Sequence, residues 1–145
     1  MPALLLLAFV VGLVLPVQAG LNAQLRVALG SPLGASLVSF VVGTVGLLAL
    51  VVMARSPLPI GTAWARSNWW QWGGGLLGAL YIGAAVVLAP RLGAATLIAT
   101  VVAGQMVASL VLDQFGLLGF ASHPITPMRL AGAVLVMVGV AIIQR

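Results

Sequence analysis

Residues 33–53 read LGASLVSFVVGTVGLLALVVM, a run without a charge, a proline or an amide side chain. As a helix rising 1.5 Å per residue the run is about 31 Å long, which matches a hydrocarbon core about 30 Å thick. Its Ser36, Ser39, Gly43 and Gly46 recur at i, i+3, i+7 and i+10, so four small residues share one face where another backbone can approach closely. A barrel strand would instead alternate apolar and polar residues over about ten positions. The run predicts a transmembrane helix, and it sets the reading of what lies on either side.

Upstream, residues 3–28 form a first helix interrupted at Pro16, with Gln18, Asn22, Gln24 and Arg26 in its second half. Proline has no N–H to donate, so a bend is expected there and the carbonyl of Gly12 is released. Gly30-Ser31-Pro32 makes the turn between the two helices. The opening run, followed by Val17-Gln18-Ala19 and Gly20, has the outline of a signal peptide. No basic residue precedes it and the remainder is equally hydrophobic, so a retained helix is expected.

Downstream, Arg55 to Asn68 is a loop carrying Pro57, Pro59 and Gly61, and Trp64, Trp69, Trp70 and Trp72 read as an interfacial belt. A third helix over 69–89 contains Gly74-x-x-x-Gly78, a small-residue packing motif. Pro90-Arg91 is expected to turn the chain into a fourth helix over 92–112, which holds Gly104, Gln105 and Ser109. A second loop, Asp113 to Thr126, leads to a fifth helix over 127–143 with Gly132 and Gly139 one heptad apart. The expectation is an all-α integral membrane protein, one transmembrane domain over 1–145 built as a five-helix bundle with no room for a soluble domain.

Composition agrees. The chain is 63 % hydrophobic and 5 % charged, with a mean hydropathy of +1.27, where a soluble domain carries roughly 25 % charged residues. The six basic residues are all arginine, set singly at the ends of apolar runs. They suit lipid phosphates and form no basic face for nucleic acid. With no cysteine, one acidic residue and one histidine, His123, neither a metal site nor a cofactor is expected, and His123 reads as a solvated loop residue. No phosphate-binding loop, zincin motif or nucleophile elbow occurs. An enzyme is not expected.

Five alternating spans place Arg55, Arg66 and Arg129 on one side of the membrane and Arg26, Arg91 and Arg145 on the other. Orientation normally follows an excess of basic residues on the cytoplasmic side, and three against three supplies none. Dual topology is expected, with two copies pairing as an antiparallel ten-helix homodimer. Inverted repeats of this kind are the usual frame for alternating access, with a binding site near the midplane.

Polar residues inside spans are the default site candidates. Gln18, Asn22 and Arg26 stand at i, i+4 and i+8, and Gln105, Ser109 and Asp113 repeat that spacing in the fourth helix. Gln18, Asn22, Gln105 and Ser109 are the candidate substrate contacts, Pro16 the kink, and Ser36, Ser39, Gly43, Gly46, Gly74, Gly78, Gly104, Gly132 and Gly139 the packing positions. For Gln18 and Asn22, substrate contact and interhelical glue remain equally open. Gln24 lies on another face, and Tyr81 reads as packing more than as a ligand contact. Asp113 is the sole carboxylate. At a helix C-terminus it opposes the helix dipole and calls for a partner, for which Arg129 is the candidate. A loop-edge ion pair and a coupling or gating pair are both open for it.

The order of these pieces resembles the YdcZ-like family of the drug/metabolite transporter superfamily. The matching pieces are Gln18 with Asn22, Gly30-Ser31, Ser39-Phe40 with Gly43, Trp72-Gly73-Gly74 with Gly78, and Leu92-Gly93. They continue with Gly104-Gln105, Ser109, Asp113, Gly116, and Arg129 with Gly132. The resemblance implies a multi-pass protein of the bacterial cytoplasmic (inner) membrane that exports a small metabolite or drug. Its partners would be a second copy or a close paralogue, membrane lipids and a small-molecule substrate. More distantly the chain is similar to the small multidrug resistance proteins, whose first helix bears an embedded glutamate. This chain has no glutamate, so proton-for-cation exchange of that kind does not carry over. A non-transporting membrane scaffold or subunit and a small channel are the competing readings.

Overall fold

In the computed structural model, residues 2–145 are described. They form α1 (Pro2–Leu29), α2 (Pro32–Met53), a short α3 (Ile60–Arg66), a 3-10 turn (Trp69–Gly73) running into α4 (Gly74–Leu92), α5 (Ala94–Phe115), a second 3-10 turn (Leu117–Gly119) and α6 (Pro127–Ile143). Among the described residues there is no strand. Among the described residues four stretches are long and apolar enough to cross a membrane: α1, α2, Trp69–Leu92 and α5. The 17-residue α6 is apolar but shorter. At about 25 Å it lies near the lower limit for a span.

Three boundaries differ from the sequence expectation. The 55–68 loop contains α3. The third expected helix does not stop at Ala89: α4 continues through Pro90 to Leu92, and Gly93, at φ +77°, makes the break before α5 begins at Ala94. The fourth expected helix also runs three residues past Leu112, ending at Gly116 in the left-handed conformation with φ +59°. Asp113 therefore sits in the last turn of α5 and not in a loop. In the second and third cases the chain turns where a glycine, Gly93 or Gly116, takes a positive φ, a conformation costly for other residues.

The caps follow from local chemistry. Ser31 accepts a hydrogen bond from the Gly34 amide (3.0 Å) ahead of Pro32, and Thr126 accepts one from Arg129 (3.3 Å) ahead of Pro127. Both satisfy donors that a helix start leaves open. The end of α2 closes as a Schellman turn, Ser56 N–H to the Val51 carbonyl (3.0 Å) and Arg55 N–H to the Val52 carbonyl (3.1 Å). Arg55 holds the left-handed position, φ +47°, where glycine is preferred.

Burial is inverted relative to a water-soluble protein. The buried residues are Ala19, Asn22, Ala35, Ser36, Ala85, Val86, Leu97, Leu110 and Ala133, whereas leucines and valines along α1, α2 and α4 face outward. Lipid tails are as apolar as leucine, so helices gain by close backbone approach through small residues.

The chain groups into two compact units, Val17–Pro90 and the remainder, with the boundary inside α1 at Pro16. In the Val17–Pro90 unit, a Cβ placed on Gly78 would lie 3.5 Å from the Phe40 ring, and one on Gly83 would lie 4.0 Å from the Ser36 hydroxyl. These pairs, Phe40 with Gly78 and Ser36 with Gly83, run in opposite directions along the sequence, so α2 and α4 pack antiparallel. In the other unit α5 lies along α6, with the Leu117–Gly119 turn against α5.

Gly78 tests the packing. A methyl group fits at 3.5 Å, so Gly78→Ala is expected to leave the thermal unfolding midpoint of the detergent-purified protein nearly unchanged. Gly78→Leu forces extra methylenes against Phe40 and should cost about 1–3 kcal/mol, read as a lowered midpoint in the same assay.

Candidate functional site

Two polar constellations stand out of the apolar surface, one in each unit. The first joins α5 to α6. Arg129, in the first turn of α6, bonds the Asp113 carboxylate through Nη2, so the sole carboxylate in the chain meets the partner its position demands. The same guanidinium donates from Nη1 to the His123 carbonyl (2.7 Å), and the His123 amide donates to the Asp113 carbonyl (2.8 Å). Gln114 accepts from the Ile125 amide (2.6 Å). Residues 116–126 are thus folded back over the helix ends and tied there by one charged pair and three further bonds. Gly116 gives the chain its sharp exit from α5. The pair is partly buried, with side-chain exposures of 23 % for Asp113 and 34 % for Arg129, and a shallow recess lies over Asp113, His123, Pro124 and Arg129. The His123 ring is exposed and donates from Nδ1 to the Ala121 carbonyl (2.9 Å). It behaves as the solvated loop residue expected, while its backbone, invisible to that reading, takes part in the tie.

The second constellation lies in the Val17–Pro90 unit. Asn22 is buried, at 7 % exposure, Gln18 and Arg26 are half-buried, and Gln24 is exposed, as the spacing on α1 predicts. Arg26 donates from Nη1 to the Val86 carbonyl of α4 at 3.3 Å. That carbonyl would bond the N–H of residue 90 in a regular helix, but residue 90 is a proline. Arg26 therefore supplies the donor that Pro90 lacks, which allows α4 to continue for two residues beyond it. The free carbonyl was legible in principle, since a proline four residues after Val86 releases it wherever the helix does not end first, but its partner was not.

Gln105, Ser109 and Gly104 are exposed on α5. Among the packing positions, Gly78 has Phe40 beside it, whereas a Cβ on Gly43, Gly46, Gly74, Gly104, Gly132 or Gly139 would meet nothing within 4 Å. Ser36 is buried and donates back to the Pro32 carbonyl (3.0 Å), and Ser39 and Tyr81 are half-buried. The tryptophans are half or more exposed except Trp72, at 45 %. Trp64 and Trp72 pack with ring centroids 5.2 Å apart, and Trp72 donates from its indole to Ser67 (2.8 Å). Among the described residues no group of three or more metal-ligating side chains gathers.

Comparison with known proteins identifies the family. The family described as "Putative inner membrane exporter, YdcZ" matches residues 3–142. The inner membrane protein YdcZ of Escherichia coli (strain K12) is 31 % identical over 148 residues, an alignment covering 97 % of this chain and 95 % of that protein. No solved structure matches the chain. The chain is a multi-pass inner-membrane protein of a family described as inner membrane exporters.

The tie between α5 and α6 has a direct test. Asp113→Asn and Arg129→Gln should each destabilise the protein by about 1–2 kcal/mol, below the figure for a fully buried pair because both groups keep solvent access. The double variant should cost little more than the worse single one. A cysteine introduced at Phe120, in a chain that has none, should react faster with a soluble maleimide in either single variant.

Proposed function

The chain belongs to the YdcZ-like family of the drug/metabolite transporter superfamily, and from that membership we propose that it is a small secondary transporter. In this reading it exports a small metabolite or drug by alternating access, as an antiparallel, dual-topology homodimer. The observation that carries the transport reading is the family match across 3–142, nearly the whole chain. What supports the dimer is the even division of arginines, three on each side of five alternating spans, α6 being taken as the fifth.

Two features of the single chain favour a second copy. Gln105 and Ser109 are exposed on α5, and an amide facing hydrocarbon is costly until it pairs or meets water. The glycine face of α2 at Gly43 and Gly46 is also open, where a small-residue contact between helices is expected. Two oppositely inserted copies would bring these surfaces toward one another. Gln18, Asn22, Gln105 and Ser109 then contact substrate, while Pro16 and the glycines of α2 and α4 let the copies rock. The Asp113–Arg129 pair holds the α5–α6 end closed or releases it, as a gate or as the coupling step. Proton coupling by a carboxylic acid, if the transport cycle uses it, falls to Asp113, the one side-chain carboxylate, or to the C-terminus.

Charge bias tests the dimer. Thr62→Lys adds a positive charge beside Arg55 and Arg66, and Gln144→Lys adds one beside Arg145; both positions are exposed. Each variant should insert in a single orientation, opposite to the other, as scored by a C-terminal reporter pair. Each should be inactive alone, and co-expression should restore transport. Equal activity of either variant alone excludes the antiparallel dimer.

Liposome assays test the site. Saturable uptake with counterflow marks a carrier, unsaturable conductance a channel, and neither across a broad substrate panel a scaffold. Gln18→Leu and Gln105→Leu should each lower transport at least about tenfold while keeping the unfolding midpoint. Unchanged transport in both would remove the polar stripes from the mechanism.

A further inference from the structure

Of the six arginines, Arg55, Arg66, Arg91 and Arg145 are exposed, and Arg26 and Arg129 are half-buried. The two half-buried ones differ in one respect. Arg129 has the carboxylate of Asp113, which is the only acidic side chain in the sequence. Arg26 has a backbone carbonyl, that of Val86. A carbonyl fixes the guanidinium in place and satisfies one N–H, yet it brings no negative charge. Four of the five guanidinium donors remain, in a planar fork that matches carboxylate and phosphate oxygens.

This holder is itself built. The Val86 carbonyl is available because residue 90 is proline, so Val86 and Pro90 together position the Arg26 cation from another helix without neutralising it. An acid in place of that carbonyl would have quenched the charge. One turn from Arg26 along the same stripe of α1 stands Asn22, buried at 7 % exposure, and one turn further Gln18, half-buried. An amide and a guanidinium on one stripe offer donors to anionic oxygens and, through the amide carbonyl, an acceptor for a neighbouring polar group.

We infer that Arg26, held at the carbonyl that Pro90 leaves free, binds the anionic group of a ligand, a carboxylate or phosphate oxygen, with Asn22 beside it. This rests on the transport reading only in assigning the bound anion as cargo, and it then makes the substrate class a small carboxylate or phosphate. The same chemistry is presented by a lipid phosphate, and the experiment separates the two sources.

The protein is purified in an uncharged detergent and its unfolding midpoint is followed against succinate and inorganic phosphate, with chloride at matched ionic strength as reference. It is then placed in nanodiscs of phosphatidylcholine with or without phosphatidylglycerol. The native protein should show a saturable rise with at least one of succinate, phosphate or phosphatidylglycerol. Arg26→Gln should weaken the apparent affinity by at least about tenfold, the loss of one charge-assisted bond. Arg26→Lys should keep a weaker response, having charge without the fork. Pro90→Ala, which returns an N–H to the Val86 carbonyl and releases Arg26, should weaken the anion response without lowering the ligand-free midpoint.

A response to phosphatidylglycerol alone supports the anion site and assigns it to a lipid headgroup. No response to any of the three probes, with Arg26→Gln merely lowering the ligand-free midpoint, overturns the inference and leaves Arg26 as a structural substitute for the missing N–H. An Arg26-dependent response without uptake of that anion into liposomes keeps the site and counts against transport. Saturable uptake of an uncharged substrate without any anion response does the reverse.

Discussion

In hydrocarbon a peptide group that finds no partner stays unpaired at a cost of several kcal/mol, and every other feature of this chain answers to that constraint. It dictates helices. It explains why their starts carry Ser31 and Thr126 as caps, and why the end of α2 closes its own carbonyls in a Schellman turn. At Pro90 the constraint reaches across the fold, because the carbonyl of Val86 is served by a side chain from α1. A backbone defect in one helix thereby determines where a charge rests in another. Fold and candidate chemistry meet at that bond.

The inverted burial has a functional side. With alanines, a serine, an asparagine and Val86 inside and leucines outside, the Val17–Pro90 unit buries mostly small side chains. Helices in contact through small residues slide and tilt with fewer rotamer rearrangements than a jigsaw core permits. The α5–α6 end differs in kind. There charge and backbone bonds tie a loop across two helix ends, through the one anionic side chain the protein owns. The Val17–Pro90 unit thus packs through small residues, while the α5–α6 end is held by one ion pair and three further hydrogen bonds.

Much of this was legible in the sequence, because hydropathy and glycine placement act locally. The run at 33–53 needed only its length, and α2 and α6 fall within a residue of expectation. The Asp113–Arg129 pair was readable because a chain with a single acid offers few ways to pair it. The errors arose where local rules compete. Pro90 reads as a helix end, yet a donor from α1 lets α4 pass through it, and the break falls at Gly93. The fourth helix reads as ending at Leu112 with Asp113 at its edge, yet α5 persists until a glycine can adopt a positive φ. Neither the Arg26–Val86 bond nor the role of the His123 backbone follows from sequence periodicity, since each depends on which elements lie side by side. The polar stripes at Gln18 and Gln105 were visible as spacing, but spacing alone does not say what they touch.

The close of α2 carries a last consequence. Its left-handed position is occupied by Arg55 where glycine would relax the backbone. The same arginine is one of the six charges that the insertion machinery can read. Any change that eases the turn also alters the electrical bias of the chain, so folding and insertion cannot be tuned separately at this site. A residue that looks like a small imperfection in a helix cap is a point where backbone geometry and membrane insertion draw on one side chain.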